Sequence, residues 1–378
     1  MSEHDAAGDA LERAEGSDIG SGEPIEGAHL TRRTALTGGA VGLAAMLLEA
    51  CGSAAGGGAS TAQAAISSNP IPTIFGVKGG YRFTFVSHAT TDTFFTPTVN
   101  GIQDACQLLN CSYEWTGSKS SNVGQMAMAI NTAVSTGVDG IATTLISAEL
   151  AEPVQAAMKA GIPVIAYNAD VPATDRLAYI GQDLVLSGQE MGREIRQLLP
   201  GGGQIMVFIA TPGSANLQPR LDGIRRALKG SKIQMHTQAS GATEPQELTT
   251  IEGVIGKSLT AYDGYFAVDA GSTAAVATAL GKHNLKGRVL GGGFDLTAET
   301  VQALRDRTIQ FAIDQQPYLQ GFLSVVELFL YKASQGLTGA ADVDTGLKFV
   351  YPGTVKPYAT TTSRYEGTGT SVGVQKTG

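Results

Sequence analysis

The sequence predicts an α/β protein made of two doubly wound, parallel-sheet lobes, and three observations carry that expectation. From Tyr81 onward, short β-rich runs alternate with helical runs of roughly ten to fifteen residues. The alternation restarts after AYIGQ, giving two stretches of about one hundred residues each. Gly137-Val138-Asp139-Gly140 and Gly161-Ile162-Pro163 each close a helix with glycine and enter a strand at once.

Taken in order, YRFTFVS reads as a strand, residues 97–109 as a helix closed by Asn110, and CSYEW as a second strand. A helix over 122–136, the strand DGIATT, a helix over 148–160 and the strand IPVIAY follow. The second stretch gives a helix over 184–198, QIMVFIA, a helix from 215 to 229, IQMHTQ, and a helix over 245–258. YFAVD, a helix over 272–283 and RVLGGGFD complete it. The final part, IQFAIDQQPYLQGFLSVVELFLYKA and then LKFVYP, supplies a further strand and a long helix able to return to the first lobe. Strands alternating with helices of this length imply a parallel sheet with helices on both faces.

Residues 31–51, TRRTALTGGAVGLAAMLLEAC, set the compartment. Arg32 and Arg33 precede 14 uncharged residues, Ala35 to Leu48. At about 1.5 Å per helical residue this run is too short to cross a hydrocarbon core of about 30 Å. The pattern resembles the twin-arginine signals of bacterial lipoproteins, which implies lipidation of Cys51 at the mature N-terminus and a protein held at the outer face of the cytoplasmic membrane or in the periplasm. Residues 1–50 are then a signal with an acidic, disordered leader, and residues 51–79, Gly/Ser-rich at first, a flexible tether.

The formal charge of −8 belongs mostly to that leader: residues 1–50 hold nine acidic and three basic residues, leaving 25 acidic against 23 basic beyond them. No nucleic-acid footprint survives, and a neutral or mixed small ligand is the natural partner. Of three cysteines, Cys106 and Cys111 remain for a small disulfide loop, or Cys106 is a buried helix residue. The five histidines have no metal-ligand spacing, so neither metal nor cofactor is expected. There is no GxGxxG after a strand, no GxxxxGK[ST] and no GxSxG elbow, and Gly201-Gly202-Gly203 reads as a turn, so no enzyme is expected.

In open α/β sheets ligands sit beyond the carboxyl ends of the strands. Those ends carry Ser87-His88, Asp92 with Phe94-Phe95, Thr143-Thr144, Asn168-Ala169-Asp170, Asn216 to Arg220, Asp269, Asp295 and Gln315-Gln316. Carboxylates and amides with one arginine and an aromatic pair suit a polyhydroxylated neutral ligand, whose hydroxyls both donate and accept. The competing reading is that strand-end Asp and Asn cap the next helix.

VDGIATT with AGIPVIAYN, YIGQDLVLSGQEMG, RLDGIRRAL, GGFDLTAETVQAL and AIDQQPYLQG, in that order and spacing, resemble the type I periplasmic sugar-binding proteins, the ribose-binding-like components of ABC transporters, over about residues 80–355. The resemblance implies lobes joined by three crossing strands near Gln182-Asp183, Gln315-Gln316 and Asp344, with a ligand in the cleft between them. Lobe one would be 80–182 with 316–344, lobe two 183–315 with 345–360, and 361–378 a flexible tail. It implies ligand contacts from Asp92, Phe94, Phe95, Thr144, Asn168, Asp170, Arg220, Asp269, Asp295 and Gln315, with His88 and Asn216 behind them. Thr93 stands where the family has proline and Ala169 where some members have arginine, which argues against ribose and leaves another pentose, a hexose or a sugar alcohol. The implied protein is a monomer that delivers its sugar to a membrane permease. The alternative is a sensor presenting the sugar to a chemoreceptor or receptor kinase. A repressor with the same core would need a helix-turn-helix where the export signal lies.

Overall fold

The computed structural model describes residues 76–77 and 79–360. Arg32, Arg33, Cys51, the leader, the tether before residue 76 and the tail from residue 361 lie outside the described residues.

The first sheet gathers β1 (Arg82–Ser87), β2 (Ser112–Gly117), β3 (Gly140–Thr143), β4 (Val164–Tyr167), β5 (Ala178–Gly181) and β11 (Val343–Asp344). Its order is β11-β5-β4-β3-β1-β2 and every pairing is parallel. The second gathers β6 (Gly203–Ile209), β7 (Ile233–Ala239), β8 (Gly264–Ala267), β9 (Leu290–Phe294), β10 (Phe311–Asp314) and β12 (Lys348–Val350). It runs β12-β10-β9-β8-β6-β7, with β12 alone antiparallel. Two doubly wound lobes are what the alternating pattern predicted.

Each sheet is covered on both faces. In lobe one, α1 (Thr96–Leu109) and α9 (Pro317–Ala333) cover one face, where Ile102, Ala105 and Leu328 meet Phe83, Phe85 and Ile165. α2 (Val123–Ser135) and α3 (Ala151–Lys159) cover the other through Met126, Ile130 and Val154. In lobe two, α4 (Leu184–Leu198) and α5 (Gln218–Leu228) lie on one face. The other carries α6 (Glu244–Lys257), α7 (Ala270–Lys282), α8 (Ala298–Arg305) and α10 (Lys356–Thr360). Gly137 and Gly161 hold the positive φ values, 63° and 78°, that the helix-to-strand turns require.

Two helix pairs approach closely enough to exclude any side chain. A Cβ on Gly101 of α1 would overlap the Tyr318 carbonyl of α9, and one on Gly188 of α4 would overlap the Arg220 carbonyl of α5. These contacts fix α9 and α5, and with α5 the position of Arg220.

The chain crosses between the sheets after β5, after β10 and after β11. The crossings are laced together. Thr345 N donates to the Gly181 carbonyl (2.9 Å), Thr345 Oγ1 to the Gln315 carbonyl (2.8 Å), and Gln182 Nε2 to the Gly346 carbonyl (3.0 Å). Gln316 adopts φ 55°, which turns the chain sharply into α9.

Cys106 and Cys111 are both free thiols, so the disulfide loop is not formed. Cys106 is buried on α1 among Phe83 and Leu109, the packing role open to a small apolar residue, and burial pushes its thiol up to about 12. Cys111 Sγ instead donates to the Leu109 carbonyl at 3.6 Å. Among the described residues no helix is long and apolar enough to cross a membrane.

Candidate functional site

The strand-end residues converge on the cleft between the two sheets, and a chain of side-chain amides links its walls. Asn168, after β4, donates from Nδ2 to Gln315 Oε1 at 3.3 Å, and Gln315 donates from Nε2 to Asp295 Oδ1 at 2.8 Å. Gln315 sits on a crossing, Asn168 in lobe one and Asp295 in lobe two, so the three form one polar strip across both lobes. Asn168 and Asp295 hold left-handed φ values of 63° and 73°, tolerable for Asn and Asp at a cost of about 1 kcal/mol each. That turn swings both side chains off the strand axis.

Arg220 stands beside the strip. It is 3% exposed, its Nη1 donates to the Val268 carbonyl (3.0 Å), and its guanidinium lies 4.1 Å from the Phe294 ring centroid. Nε is buried without a partner. Burial presses Arg220 toward losing its charge, while Asp295, Tyr179 and Asp269 pull it back. An arginine with a spare buried donor beside a buried carboxylate is a ready partner for a hydroxyl oxygen. For Asp295, burial outweighs Arg220 and raises its carboxyl to about 7.

From lobe one, Thr144 is fully buried; its Oγ1 accepts from the His88 backbone N–H and from His88 Nδ1–H, each at 3.0 Å. His88 Nε2 then accepts from Asn216 Nδ2 of lobe two at 3.3 Å, which leaves Asn216 Oδ1 without a partner. Burial lowers the imidazole to about 4, so it bridges the lobes as a neutral ring. Nearby, Ala215 N donates to the Ile146 carbonyl at 2.8 Å, and Thr93 N and Oγ1 donate to Glu244 Oε1 at 3.4 and 3.1 Å. These bonds hold the lobes against one another.

The aromatic pair divides its labour. Phe94 lines a cavity of about 30 Å³ with Asp295 and Asp314, room for about one or two waters. Phe95 is buried in the lobe-one core, its ring centroid 5.6 Å from Trp115 and 6.4 Å from Tyr167. It supports Phe94 edge-on at 4.8 Å.

The capping alternative holds at two positions. Asp92 Oδ1 accepts from Phe94 N (2.9 Å). Asp269 Oδ1 accepts from Ser272 N (2.8 Å) at the start of α7, and its Oδ2 from Ala210 N (3.1 Å). Both carboxylates still lie in the cleft's field: burial above all, then Glu244 and Asp295, raises Asp92 to about 7, and burial raises Asp269.

Asp170 is not part of this set. Both its oxygens are taken by Arg176, Nε at 2.8 Å and Nη2 at 2.6 Å, and Arg176 continues to Asp342 (2.8 Å) ahead of β11. It is a strut between the loop after β4 and the entry to β11, two residues beyond Asn168.

Two residues were missed by the sequence reasoning. Gln320 on α9 is fully buried and donates from Nε2 to Gln315 Oε1 at 3.1 Å, clamping the central amide. Glu247 on α6 is 6% exposed with Oε2 unpartnered, and burial with the charges of Asp269, Asp92 and Glu244 raises it to about 10. Glu247 lies inside a polar helical run, which gave no hint of burial. Gln320 could have been found, because it is polar at a core-facing position of an otherwise apolar helix.

A family profile described as a periplasmic binding protein domain matches residues 83–334. Over 307 residues the chain is 43% identical to the xylose/arabinose-binding protein XylF of Sulfolobus acidocaldarius, covering 77% of this chain and 76% of that protein. Among solved structures, the fold matches an ABC transporter solute-binding protein from Burkholderia graminis in complex with D-arabinose. That match has 24% identity and a TM-score of 0.67, over 72% of this chain and 95% of the other. A carbohydrate transporter from Acidothermus cellulolyticus in complex with myo-inositol matches at 26% identity and TM-score 0.64, over 73% and 96%. With two parallel-sheet lobes and a polar strip between them, this chain belongs to the type I periplasmic sugar-binding proteins.

Proposed function

We propose that the protein captures an aldopentose of the xylose or arabinose type between its lobes and delivers it to an ABC importer. The observation that carries this reading is the Asn168–Gln315–Asp295 strip, which offers donors and acceptors from both lobes beside Arg220. A hydroxylated ring seated on it gains its full set of hydrogen bonds only when the lobes are closed, so sugar shifts the hinge equilibrium toward that state. Phe94 supplies an apolar face for the ring, while Arg220 Nε and Asn216 Oδ1 supply unspent polar capacity. Asp92 and Asp269, though capping, keep lone pairs for hydroxyl donors. The 43% identity to a xylose/arabinose-binding protein favours a pentose over a hexose.

Export by the arginine pair at Arg32 and Arg33 and a lipid on Cys51 would hold the protein at the outer membrane face, within reach of its permease.

Calorimetric titration of the full chain with xylose, arabinose, ribose, glucose and inositol tests the ligand. Saturable heat with a pentose alone supports the reading, and heat confined to glucose or inositol overturns the pentose assignment. Stimulation of ATP hydrolysis by the reconstituted importer tests delivery; sugar binding without stimulation would favour sensing.

A further inference from the structure

The small cavity beside Phe94 and Asp295 shares part of its wall with a larger one. A groove of about 440 Å³ shares Thr93, Pro97, Leu296 and Thr297 with it. The groove runs outward between α1 of lobe one and α8 and α10 of lobe two. Its volume falls in the range of about 300–1,000 Å³ usual for small-molecule sites.

Its lining is mixed. Val301 and the Tyr358 ring give an apolar wall, and Asn100, Gln302 and Arg305 give polar groups. Arg305 spends one N–H on Gln302 Oε1 at 3.5 Å and is otherwise turned to solvent. An aromatic and aliphatic wall opposite a planar cation and amides is the chemistry of a sugar ring, like that of the cleft itself.

We propose that this groove is a second sugar subsite, which takes the next ring of an oligosaccharide whose terminal ring sits in the cleft. The proposal rests on the sugar-binding reading above and extends it from single sugars to short glycans. The thin shared wall permits this because, once the lobes part, only a glycosidic oxygen need lie between the two rings. That shared wall comes from both lobes, Thr93 and Pro97 from lobe one and Leu296 and Thr297 from lobe two, so a hinge opening would join the two spaces. A second ring lying between α1 and α8 touches both lobes and adds contacts that exist only when they are closed.

The test is calorimetric titration of the full chain with xylose, arabinose, xylobiose and arabinobiose, repeated on Ala298→Trp. Ala298 lines the groove at the exposed start of α8 and does not line the small cavity, so an indole there should crowd the subsite and spare the strip. The expected result is a disaccharide that binds at least as tightly as its monosaccharide. In the variant, disaccharide affinity falls about tenfold while monosaccharide affinity stays within about twofold. Arg305→Ala, at an exposed position, should lower disaccharide affinity selectively if the tryptophan variant does not fold. Monosaccharide binding with no disaccharide binding would overturn the subsite and leave the proposed function intact. Equal loss for both sugars, or no loss for either, in both variants would also overturn it. No heat with any of the four would overturn both readings.

Discussion

Replacing Asp295 by Asn separates the cost of this site from its use. The carboxyl is buried, accepts from Gln315 Nε2 at 2.8 Å, and rises from 3.8 to about 7 on folding, chiefly through burial. A raised carboxyl favours the folded state below its unfolded value and loses that advantage as pH rises through the folded one. At about 1.4 kcal/mol per pH unit over about three units, the wild-type protein gives up about 4 kcal/mol between pH 4 and pH 8 at this one group. Asn keeps the shape, tolerates the φ of 73° and does not titrate. The variant should therefore gain about 4 kcal/mol relative to wild type on going from pH 4 to pH 8, read by urea denaturation of the sugar-free protein at both pH values. Sugar binding should move the opposite way. Exchanging a charge-assisted hydrogen bond for a neutral one costs about 2 kcal/mol, or roughly thirtyfold in affinity, by calorimetry at pH 8. Equal stability differences at both pH values, or unchanged affinity, would refute the argument.

The other perturbations follow the same physics. Glu247→Gln should stabilise the free protein at pH 8 and leave it unchanged at pH 4, since burial raises the carboxyl and its stabilising effect is lost as pH rises from 4.5 toward about 10; urea midpoints report it. Asn216→Ala removes the 3.3 Å contact to His88 Nε2, worth about 1 kcal/mol, and should enlarge the radius of gyration of the sugar-free protein in X-ray scattering. Gly188→Ala drives a methyl into the Arg220 carbonyl and should cost about 1–3 kcal/mol by thermal denaturation while weakening sugar binding, because α5 carries Arg220. Cys51→Ser should release the protein from membranes on fractionation, and continued membrane association would point to a retained helix instead.

The lobes were legible because parallel strands covered on both faces must be short, apolar and separated by helices, and β1, β3, β4, β8 and β10 all read that way. The candidate site was legible to the extent that its residues follow strands directly, as Thr144, Asn168 and Asp295 do. The pairing of Asp170 was not legible, because sequence proximity to Asn168 says nothing about Arg176, whose fork lies six residues on and takes both carboxylate oxygens. Phe95 looked like the twin of Phe94, yet successive residues of a turn point to different environments, and one packs on Trp115 while the other lines the cavity. The Cys106–Cys111 spacing left open a bridge that the structure does not make. Glu247 was hidden because its burial depends on α6, α7 and the Asp92 turn meeting, three segments distant in sequence.

The return of α9 to α1 carries a consequence for biogenesis. A chain interrupted at residue 316 would contain every strand of the first sheet except β11, yet would leave the glycine-lined face of α1 bare where Tyr318 belongs. The second lobe, by contrast, has β6 to β10 in one uninterrupted stretch and lacks only its antiparallel edge and α10. The part synthesised first thus waits for α9 and β11, which follow nearly all of the second lobe, against the usual order in which N-terminal units finish early. Because Gln315 and Gln320 flank that same junction, the polar strip comes together only as lobe one closes.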